Sequence, residues 1–194
     1  MRNYLLIRHG KTQGNLERRY ISHSDEPICD IGRKETELLA EKNSFHSITR
    51  VYSSPALRCL QTAEILFPDT KPVICSGMKE IDFGIFTNRT ADEMENCKAY
   101  REWVDTGCMG DIPGGDCVQE YKDRCCGLFE EISEEDFDGV IALVIHGGNI
   151  MSILERFAKP KKDFYSYHIP NSGFVLCNFE NDGLHILQKG ECGE

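Results

Sequence analysis

The feature that most constrains the fold is a continuous aliphatic run, VIALVI, at Val140–Ile145. A run of this length without polar alternation is typical of a strand buried on both faces, as in parallel sheets covered by helices. Residues 3–8 are a second run of this kind, and they end in Arg8. Shorter strands are predicted at residues 49–53 and 72–75, and a closing pair is predicted at residues 173–178 and 184–188, around a turn at 180–183.

Helical patterns lie between these strands. We predict a helix over residues 30–45 with Asp30 as N-cap, and a second helix from Ser54-Pro55 to about Leu66. Residues 90–104 are predicted to be helical in part. Two later helices are predicted, one from an Asp116 cap through Ile132 and one over residues 147–157. The alternation predicts an α/β fold, a three-layer α/β/α sandwich with a mostly parallel central sheet. The length of 194 residues suits one domain spanning residues 1–194.

Charge and composition exclude several classes of function. The formal net charge is −10, which disfavours nucleic-acid binding and requires a local cationic pocket for any small anionic substrate.

The longest aliphatic run is too short to cross a bilayer, and the amino terminus does not resemble a signal peptide, so we expect a cytoplasmic protein without membrane contact. The ten cysteines are scattered without a Cys-x-x-Cys pair, which predicts reduced packing residues and no metal site.

Charged and imidazole side chains follow the predicted strands at the points where they end. His9 follows the first strand, His146 follows Val140–Ile145, and each is succeeded by glycine. Arg58 lies one turn into the helix after residues 49–53, and Arg8 with Arg58 could form a forked clamp for a tetrahedral oxyanion. Taken alone, a histidine at a strand end is more often a packing residue, and an arginine is more often solvated. Their convergence at one sheet edge favours a ligand site.

Four blocks in order resemble the histidine phosphatase superfamily, which includes the phosphoglycerate mutases. They are Arg8-His9-Gly10-x-Thr12-x-x-Asn15, Ser53-Ser54-Pro55-x-x-Arg58-x-x-Gln61-Thr62-Ala63, Glu80, and His146-Gly147-Gly148. The resemblance extends over essentially the whole chain. It implies a phosphoglycerate mutase-like fold and a reaction that needs neither a cofactor nor a metal.

The resemblance also implies a role for each matched residue. His9 would attack phosphorus and become a phosphohistidine, while Arg8, Arg58 and His146 would bind the phosphoryl oxygens. Glu80 would protonate the leaving oxygen and then activate water. Thr12, Asn15 and Gly147 would belong to the substrate- or phosphate-binding set.

These roles set requirements on protonation. The attacking ring of His9 must be neutral and held through its other nitrogen, plausibly by a backbone carbonyl. His146 would serve better as a charged donor. Glu80 needs a proton near neutrality, so we predict that partial burial raises its pKa; a surface carboxylate is the competing interpretation.

The substrate is less constrained than the chemistry. The segments KEIDFG and PGGDC resemble the α-ribazole phosphatase branch of cobalamin assembly, but Phe86-Thr87-Asn88 and Asp116-Cys117 depart from its usual Trp-Glu-Gly and Glu-Ser. Residues 85–89 would flank the leaving group. Arg18 and Arg19 would contact a second acidic group or lie in a solvated loop.

Several alternatives to that branch remain open. They are a broad-range or sugar-phosphate phosphatase, a phosphoglycerate mutase, and a non-catalytic module that binds phosphorylated ligands. The expected partner is a small phosphorylated substrate, and the sequence does not decide whether the chain is a homodimer.

Overall fold

A computed structural model describes residues 2–43, 45, 48–180 and 182–192. The strands are β1 (Arg2–Arg8), β2 (Ile48–Ser53), β3 (Val73–Ile74), β4 (Val140–Ile145), β5 (Ala158–Lys159), β6 (Phe174–Glu180) and β7 (Gly183–Gly190). The α-helices are α1 (Gln13–Leu16), α2 (Asp30–Lys42), α3 (Leu57–Leu66), α4 (Lys98–Asp105), α5 (Val118–Glu134) and α6 (Gly147–Phe157). Within the described ranges, no helix combines the length and apolar character needed to span a membrane.

The strands form one seven-stranded sheet in the order β3-β2-β4-β1-β6-β7-β5. Strand β4 lies between β1 and β2 and is parallel to both, with Leu143 opposite Leu6 of β1 and Tyr52 of β2. Strand β6 pairs with β1 in the antiparallel sense, and β7 continues as its hairpin partner. The carboxyl ends of β1, β2 and β4 therefore meet at one edge, where parallel sheets bind ligands.

Helices cover both faces of the sheet. Alternate residues of β1 and β4, such as Leu6 and Leu143, pack with α5 and α6 in one core cluster. The intervening residues, such as Ile7 and Val144, pack with α2 and α3 in a second cluster. Because a strand side chain points to the opposite face from its neighbour, both faces of these strands are apolar. The arrangement confirms the predicted α/β/α layers and mostly parallel sheet.

A third apolar cluster packs separately from the two faces of the sheet. We call it the aromatic cluster; its buried members are Ile81, Phe86, Met94, Tyr100, Trp103, Ile112, Val118 and Tyr121. Partly buried side chains pack against it, including Tyr20, Phe83, Cys108 and Met109. Most of the cluster comes from the segment between β3 and α5, which also contains the 3-10 turns Gly84–Phe86 and Asp92–Met94.

The predicted helix caps are wrong by one or two residues. Helix α2 is capped by Cys29, whose Sγ accepts from the Gly32 N–H, so Asp30 lies in the first turn. Helix α5 is preceded by Cys117, not capped by Asp116. Asp116 instead accepts from the backbone N–H of Asp82 at 3.0 Å, which ties two loops together.

Helix α3 begins at Leu57 after Ala56, not at Ser54-Pro55. The Ser54 hydroxyl contacts the ring of His146 at 2.8 Å, so it belongs to the sheet edge and not to the first turn. Helix α2 ends at Lys42, whereas residue 44 of the predicted 30–45 helix lies outside the described residues. The predicted hairpin turn also includes residue 181, which lies outside them, and the short strand β5 was not predicted.

Candidate active site

Backbone hydrogen bonds continue past the ends of the central strands and fix the two histidines. The His9 N–H donates to the Ile145 carbonyl at 3.0 Å, and the Ser54 N–H donates to the Val144 carbonyl at 3.0 Å. The rings of His9 and His146 lie with centroids 5.2 Å apart in an edge-to-face arrangement. The two strand ends thus place both imidazoles at the same edge, as the sequence pattern predicts.

The orientation of His9 leaves one ring nitrogen available for nucleophilic attack. Its Nδ1 lies 2.8 Å from the Gly10 carbonyl oxygen, and because a carbonyl only accepts, Nδ1 carries the proton. The Nε2 lone pair is therefore unprotonated. Burial, and then the charges of Arg58 and Arg8, push the pKa of His9 well below 6.5, so the ring is neutral at physiological pH.

Two arginines flank this ring from different elements. Arg8 ends β1, and its Nη1 donates to the Ile169 carbonyl at 2.8 Å. Arg58 lies in α3 with only 1% of its surface exposed, and its Nη1 and Nη2 donate to the carbonyls of Ser24 and Ser22. The Nε–H groups of both arginines are buried and have no hydrogen-bond partner among the described residues. Buried donors of this kind require an acceptor, and an oxyanion would supply one.

His146 is held in the neutral form in this structure. Its Nδ1 lies 3.4 Å from Nη2 of Arg58, which only donates, and its Nε2 lies 2.8 Å from the Ser54 hydroxyl. Burial and then Arg58 lower the pKa of His146 well below its usual range. The 3.7 Å approach of Nδ1 to a Glu80 oxygen is therefore not an ion pair here. The role of His146 as a charged donor to a bound phosphoryl group stays a prediction.

Glu80 closes the site from the loop after β3. Its side chain is 13% exposed, and burial raises its pKa despite the opposing charges of Arg58 and Arg8. This direction agrees with the predicted requirement for a protonated carboxyl group. The Tyr121 hydroxyl donates to Oε1 of Glu80 at 3.1 Å, and the Ile81 N–H donates to the same oxygen at 3.0 Å.

The two glycines after His146 allow the start of α6 to approach the site closely. A Cβ at Gly147 would lie 3.3 Å from the guanidinium carbon of Arg8. A Cβ at Gly148 would lie 2.7 Å from the Tyr121 hydroxyl and 3.1 Å from Oε1 of Glu80. A side chain at Gly148 would therefore displace Tyr121 or Glu80, whereas one at Gly147 would require Arg8 to move by a few tenths of an ångström.

Thr12 and Asn15 form a capping box at α1. The Thr12 hydroxyl accepts from the Asn15 N–H, and Oδ1 of Asn15 accepts from the Thr12 N–H, both at 3.2 Å. Asn15 lines the cavity described below, whereas Thr12 is fully buried and does not. Thr12 thus shapes the loop behind the site, and the geometry gives no support to a direct contact with substrate.

Four supporting residues of the site were not predicted: Ser54, Thr62, Tyr121 and Asn171. Thr62 accepts from the Gly10 N–H at 2.9 Å behind His9. The Asn171 side-chain amide donates to the His9 carbonyl and to Oδ1 of Asn15, each at 3.1 Å. Tyr121 and Asn171 come from distant segments, so no local spacing indicates them. The only sequence signal for Ser54 and Thr62 was their place in the matched blocks Ser53-Ser54-Pro55 and Gln61-Thr62-Ala63.

A cavity of about 340 Å³ opens over these residues. The group at its inner end comprises Arg8, His9, Asn15, Arg58, Glu80, Tyr121, Gly147 and Gly148. Its other lining residues are mainly aromatic and aliphatic, including Tyr20, Phe83, Trp103 and Phe164. Every predicted site residue except Thr12 and His146 lines this cavity. His146 lies directly behind the lining and contacts Arg58.

The wall around the leaving-group end differs from the prediction. Ile81 and Phe83 line the cavity, whereas no residue of 85–89 does. Phe86 is instead buried in the aromatic cluster, and Asn88 adopts a left-handed φ of 60°. Asparagine tolerates that backbone better than most residues, which explains why it can replace the usual glycine there.

The potential metal ligands lie elsewhere. Among the described residues, the group of histidine and acidic side chains close enough to hold an ion is Glu180, Asp182 and His185, at the β6–β7 hairpin. None of these three lines the cavity. At the inner end of the cavity the positive charge comes from the guanidinium groups of Arg8 and Arg58.

Comparison with known proteins agrees with this geometry. The family model for the histidine phosphatase superfamily (branch 1) matches residues 4–191. Phosphoglycerate mutase-like protein 4 of Arabidopsis thaliana is 30% identical over 194 residues, which cover 96% of this chain and 84% of the relative.

Two solved structures share the fold. A phosphoserine phosphatase of Entamoeba histolytica in complex with 3-phosphoglyceric acid superposes with a TM-score of 0.85 at 23% identity, covering 98% of each chain. The α-ribazole phosphatase of Shigella flexneri gives a TM-score of 0.85 at 20% identity, covering 95% of this chain and 94% of that one. The match of the family model over almost the full length shows that the chain belongs to the histidine phosphatase superfamily, branch 1.

Proposed function

We propose that this protein is a metal-independent phosphomonoesterase that acts through a phosphohistidine at His9. The observation that carries the proposal is the neutral His9 ring, with Nδ1 bound to the Gly10 carbonyl, set beside two buried arginine Nε–H groups without protein partners. A nucleophile and an oxyanion clamp at one point are the two elements that phosphoryl transfer needs.

In the first half-reaction Nε2 of His9 attacks phosphorus and the phosphorus–oxygen ester bond breaks. Arg8 and Arg58 stabilise the charge on the equatorial oxygens. The bound dianion also favours protonation of His146, which then donates to an oxygen. Glu80, whose pKa is raised by burial, gives its proton to the leaving alcohol.

In the second half-reaction water attacks the phosphohistidine. The Glu80 carboxylate accepts a proton from that water, and the phosphorus–nitrogen bond breaks. Inorganic phosphate leaves, His9 is again neutral, and Glu80 is again protonated. The proton that Glu80 gave to the alcohol is thus replaced by one from the attacking water, and the solvent proton that His146 took up on binding returns to solvent when phosphate leaves.

The first test is hydrolysis of p-nitrophenyl phosphate with EDTA present. We expect activity to survive chelation and to fall at least about 1000-fold in His9→Ala. His185→Ala is the matched control, because His185 lies on β7 and contacts Asp182, outside the cavity. Loss of activity on chelation would contradict metal independence, and full activity in His9→Ala would contradict the nucleophile.

The second test isolates the acid. Nitrophenolate is stable enough to leave as an anion, whereas an alkoxide must be protonated as it leaves. Glu80→Gln should therefore lower the first half-reaction about 100-fold or more for an alkyl phosphate, and far less for p-nitrophenyl phosphate in a burst assay. Equal losses for both esters would argue against Glu80 as the acid.

α-Ribazole 5′-phosphate is the specific substrate we propose to test first, because KEIDFG and PGGDC resemble that branch. Assays should include 3-phosphoglycerate with its bisphosphate as a check for mutase activity, which the name of the Arabidopsis relative suggests. A panel of sugar phosphates covers the broad-range alternative. Binding without turnover of any ester would instead indicate a phospholigand-binding module.

A further inference from the structure

The cavity beyond the phosphoryl site is bounded on one side by three interlocked rings. Tyr20 and Phe83 meet edge to face with centroids 5.1 Å apart, and Trp103 lies 5.9 Å from Tyr20 and 6.4 Å from Phe83. Edge-to-face contacts of this kind hold rings in fixed positions. The wall therefore presents a preformed apolar surface to the leaving group.

The polar atoms of this wall are already used within the protein. The Tyr20 hydroxyl is 2.9 Å from that of Tyr100, and the Trp103 indole N–H donates to the Gly110 carbonyl at 3.1 Å. A polar leaving group would gain few new hydrogen bonds here and would lose those it makes to water. This surface therefore favours apolar leaving groups over polar ones.

Further apolar side chains line the same cavity from another segment of the chain. Phe164 and Tyr165 line it together with Met151. The Tyr165 hydroxyl donates to the Gly107 carbonyl at 3.0 Å, which links the segment after β5 to the loop after α4. The leaving group thus enters a part of the cavity, which we call the slot, that is lined by the rings of Tyr20, Phe83, Trp103, Phe164 and Tyr165.

The cations of the outer cavity are neutralised by protein carboxylates. Arg19 pairs with Glu17 at 2.7 Å and with Glu93 at 3.0 Å. Lys122 pairs with Glu155, and its ammonium lies 4.8 Å from the Phe164 ring centroid. A second acidic group on the substrate would have to compete with these partners.

We propose that the preferred substrates are phosphomonoesters of uncharged alcohols that carry an aromatic ring near the phosphate, an inference that rests on the phosphomonoesterase function above. The phosphoryl group occupies the arginine clamp, and the ring lies in the slot between Trp103 and Phe164. The cavity volume of about 340 Å³ is within the range of pockets for small organic ligands. Esters of carboxylated alcohols are poor substrates.

The test compares esters whose leaving alcohols have similar acidity, so that differences in kcat/KM reflect binding of the leaving group and not its intrinsic reactivity. We expect kcat/KM for 2-phenylethyl phosphate to exceed that for ethyl phosphate at least about tenfold. Propyl phosphate should exceed its terminally carboxylated analogue, 3-phosphooxypropanoate. Equal values for the phenyl and ethyl esters, or a preference for the carboxylated ester, would overturn the proposal.

A variant of the slot connects this preference to the proposed wall. Phe164→Ala should reduce the ratio of the phenylethyl to the ethyl value by about fivefold or more. Phe137→Ala is the matched control, because Phe137 is also a partly buried phenylalanine but packs against the main core near Tyr4. An unchanged ratio in Phe164→Ala, or the same drop in both variants, would count against the slot.

Failure of this inference and failure of the proposed function give different results. If ethyl phosphate, phosphoserine or 3-phosphoglycerate is hydrolysed through His9 as well as the phenyl ester is, the substrate class is wrong and the function stands. If no ester is hydrolysed and no phosphohistidine forms on alkaline quenching, the function itself is wrong.

Discussion

The hydroxyl of Tyr121 donates to Oε1 of Glu80 at 3.1 Å, and both atoms lie against the backbone of Gly148. Tyr121 belongs to α5, Glu80 to the loop after β3 and Gly148 to α6. Three separate segments thus determine where the proposed acid stands and how readily it holds its proton. This contact leads to the first two predictions.

Tyr121→Phe should shift the alkaline limb of the pH–rate profile to higher pH. The hydrogen bond from Tyr121 stabilises the carboxylate and lowers the pKa of Glu80 against the larger effect of burial. Without that bond the pKa rises further, so the acid keeps its proton to higher pH. The measurement is kcat/KM against pH with an alkyl phosphate.

Tyr52→Phe is the control for this change, since the Tyr52 hydroxyl donates to Glu135 at 2.6 Å, away from the cavity. Its profile should match the wild type. A downward shift in Tyr121→Phe would mean that the tyrosine raises the pKa of the group that titrates, and it would contradict this prediction.

Gly148→Ala should lower kcat/KM about 10- to 100-fold. The new Cβ would lie 2.7 Å from the Tyr121 hydroxyl and would displace the carboxyl group of Glu80. Gly127→Ala is a sharp control, because Gly127 is also helical and its Cβ would meet no atom within 4 Å. That control should keep full activity and gain up to about 1 kcal/mol of stability by thermal unfolding. Equal activity in the two variants would contradict the close approach.

Asn171→Asp should reduce activity about tenfold or more. The Asn171 amide donates to the His9 carbonyl and to Oδ1 of Asn15, and a carboxylate there would face two acceptors. Asn178→Asp disturbs a similar bond, to Asn3 Oδ1 at 3.2 Å, far from the cavity. Both variants should unfold at lower temperature, but only the first should lose kcat beyond its loss of folded protein. Comparable kcat in the two would remove Asn171 from the site.

The stability of the protein should fall as the pH drops below about 6.5 in a manner that depends on His9. The pKa of His9 is held well below 6.5 in the fold, mainly by burial, so the unfolded chain binds a proton there that the folded chain does not. Unfolding is therefore favoured as the pH falls through that range.

His9→Asn should flatten the decline in Tm between about pH 7.5 and 5.5 relative to wild type. His185→Asn should not flatten the decline. Asp182 raises the pKa of His185 in the fold, so protonation of His185 favours the folded chain as the pH falls. An equally steep decline in His9→Asn and wild type would show that His9 is not buried as a neutral ring.

Orthovanadate should inhibit competitively and bind at least about 100-fold more tightly than inorganic phosphate. Its trigonal-bipyramidal adduct resembles in-line transfer to Nε2 of His9 between Arg8 and Arg58. His9→Ala should lose this advantage while keeping phosphate binding within a few-fold. Equal affinity for the two anions would argue against attack by a protein nucleophile.

Two elements were predicted to the residue. Strand β4 and helix α6 have the predicted bounds, Val140–Ile145 and Gly147–Phe157, because burial and a following Pro160 leave no competing structure. Helix starts were harder to predict. Ser54 resembles an N-cap, but its hydroxyl is used by His146, a contact between residues 92 apart in the sequence.

The histidines and arginines at the inner end of the site could be placed from the sequence because each lies at or shortly after a strand end, whereas Glu80 was matched only through the family resemblance. His9, Arg58 and His146 are near one another as soon as β1, β2 and β4 are parallel neighbours. Tyr121 and Asn171 could not be inferred this way. Their positions depend on how α5 and the loop before β6 pack over the edge, which no local spacing encodes.

The separation of the aromatic cluster from the two cores of the sheet has a consequence for how such a protein can change. The phosphoryl-binding groups depend on strand register, whereas Tyr20, Phe83 and Trp103 belong to a cluster with its own packing. Substitutions in that cluster can alter which alcohols are accepted while the shared machinery persists. Divergence of substrate among paralogues would then be expected to concentrate in the segment between β3 and α5.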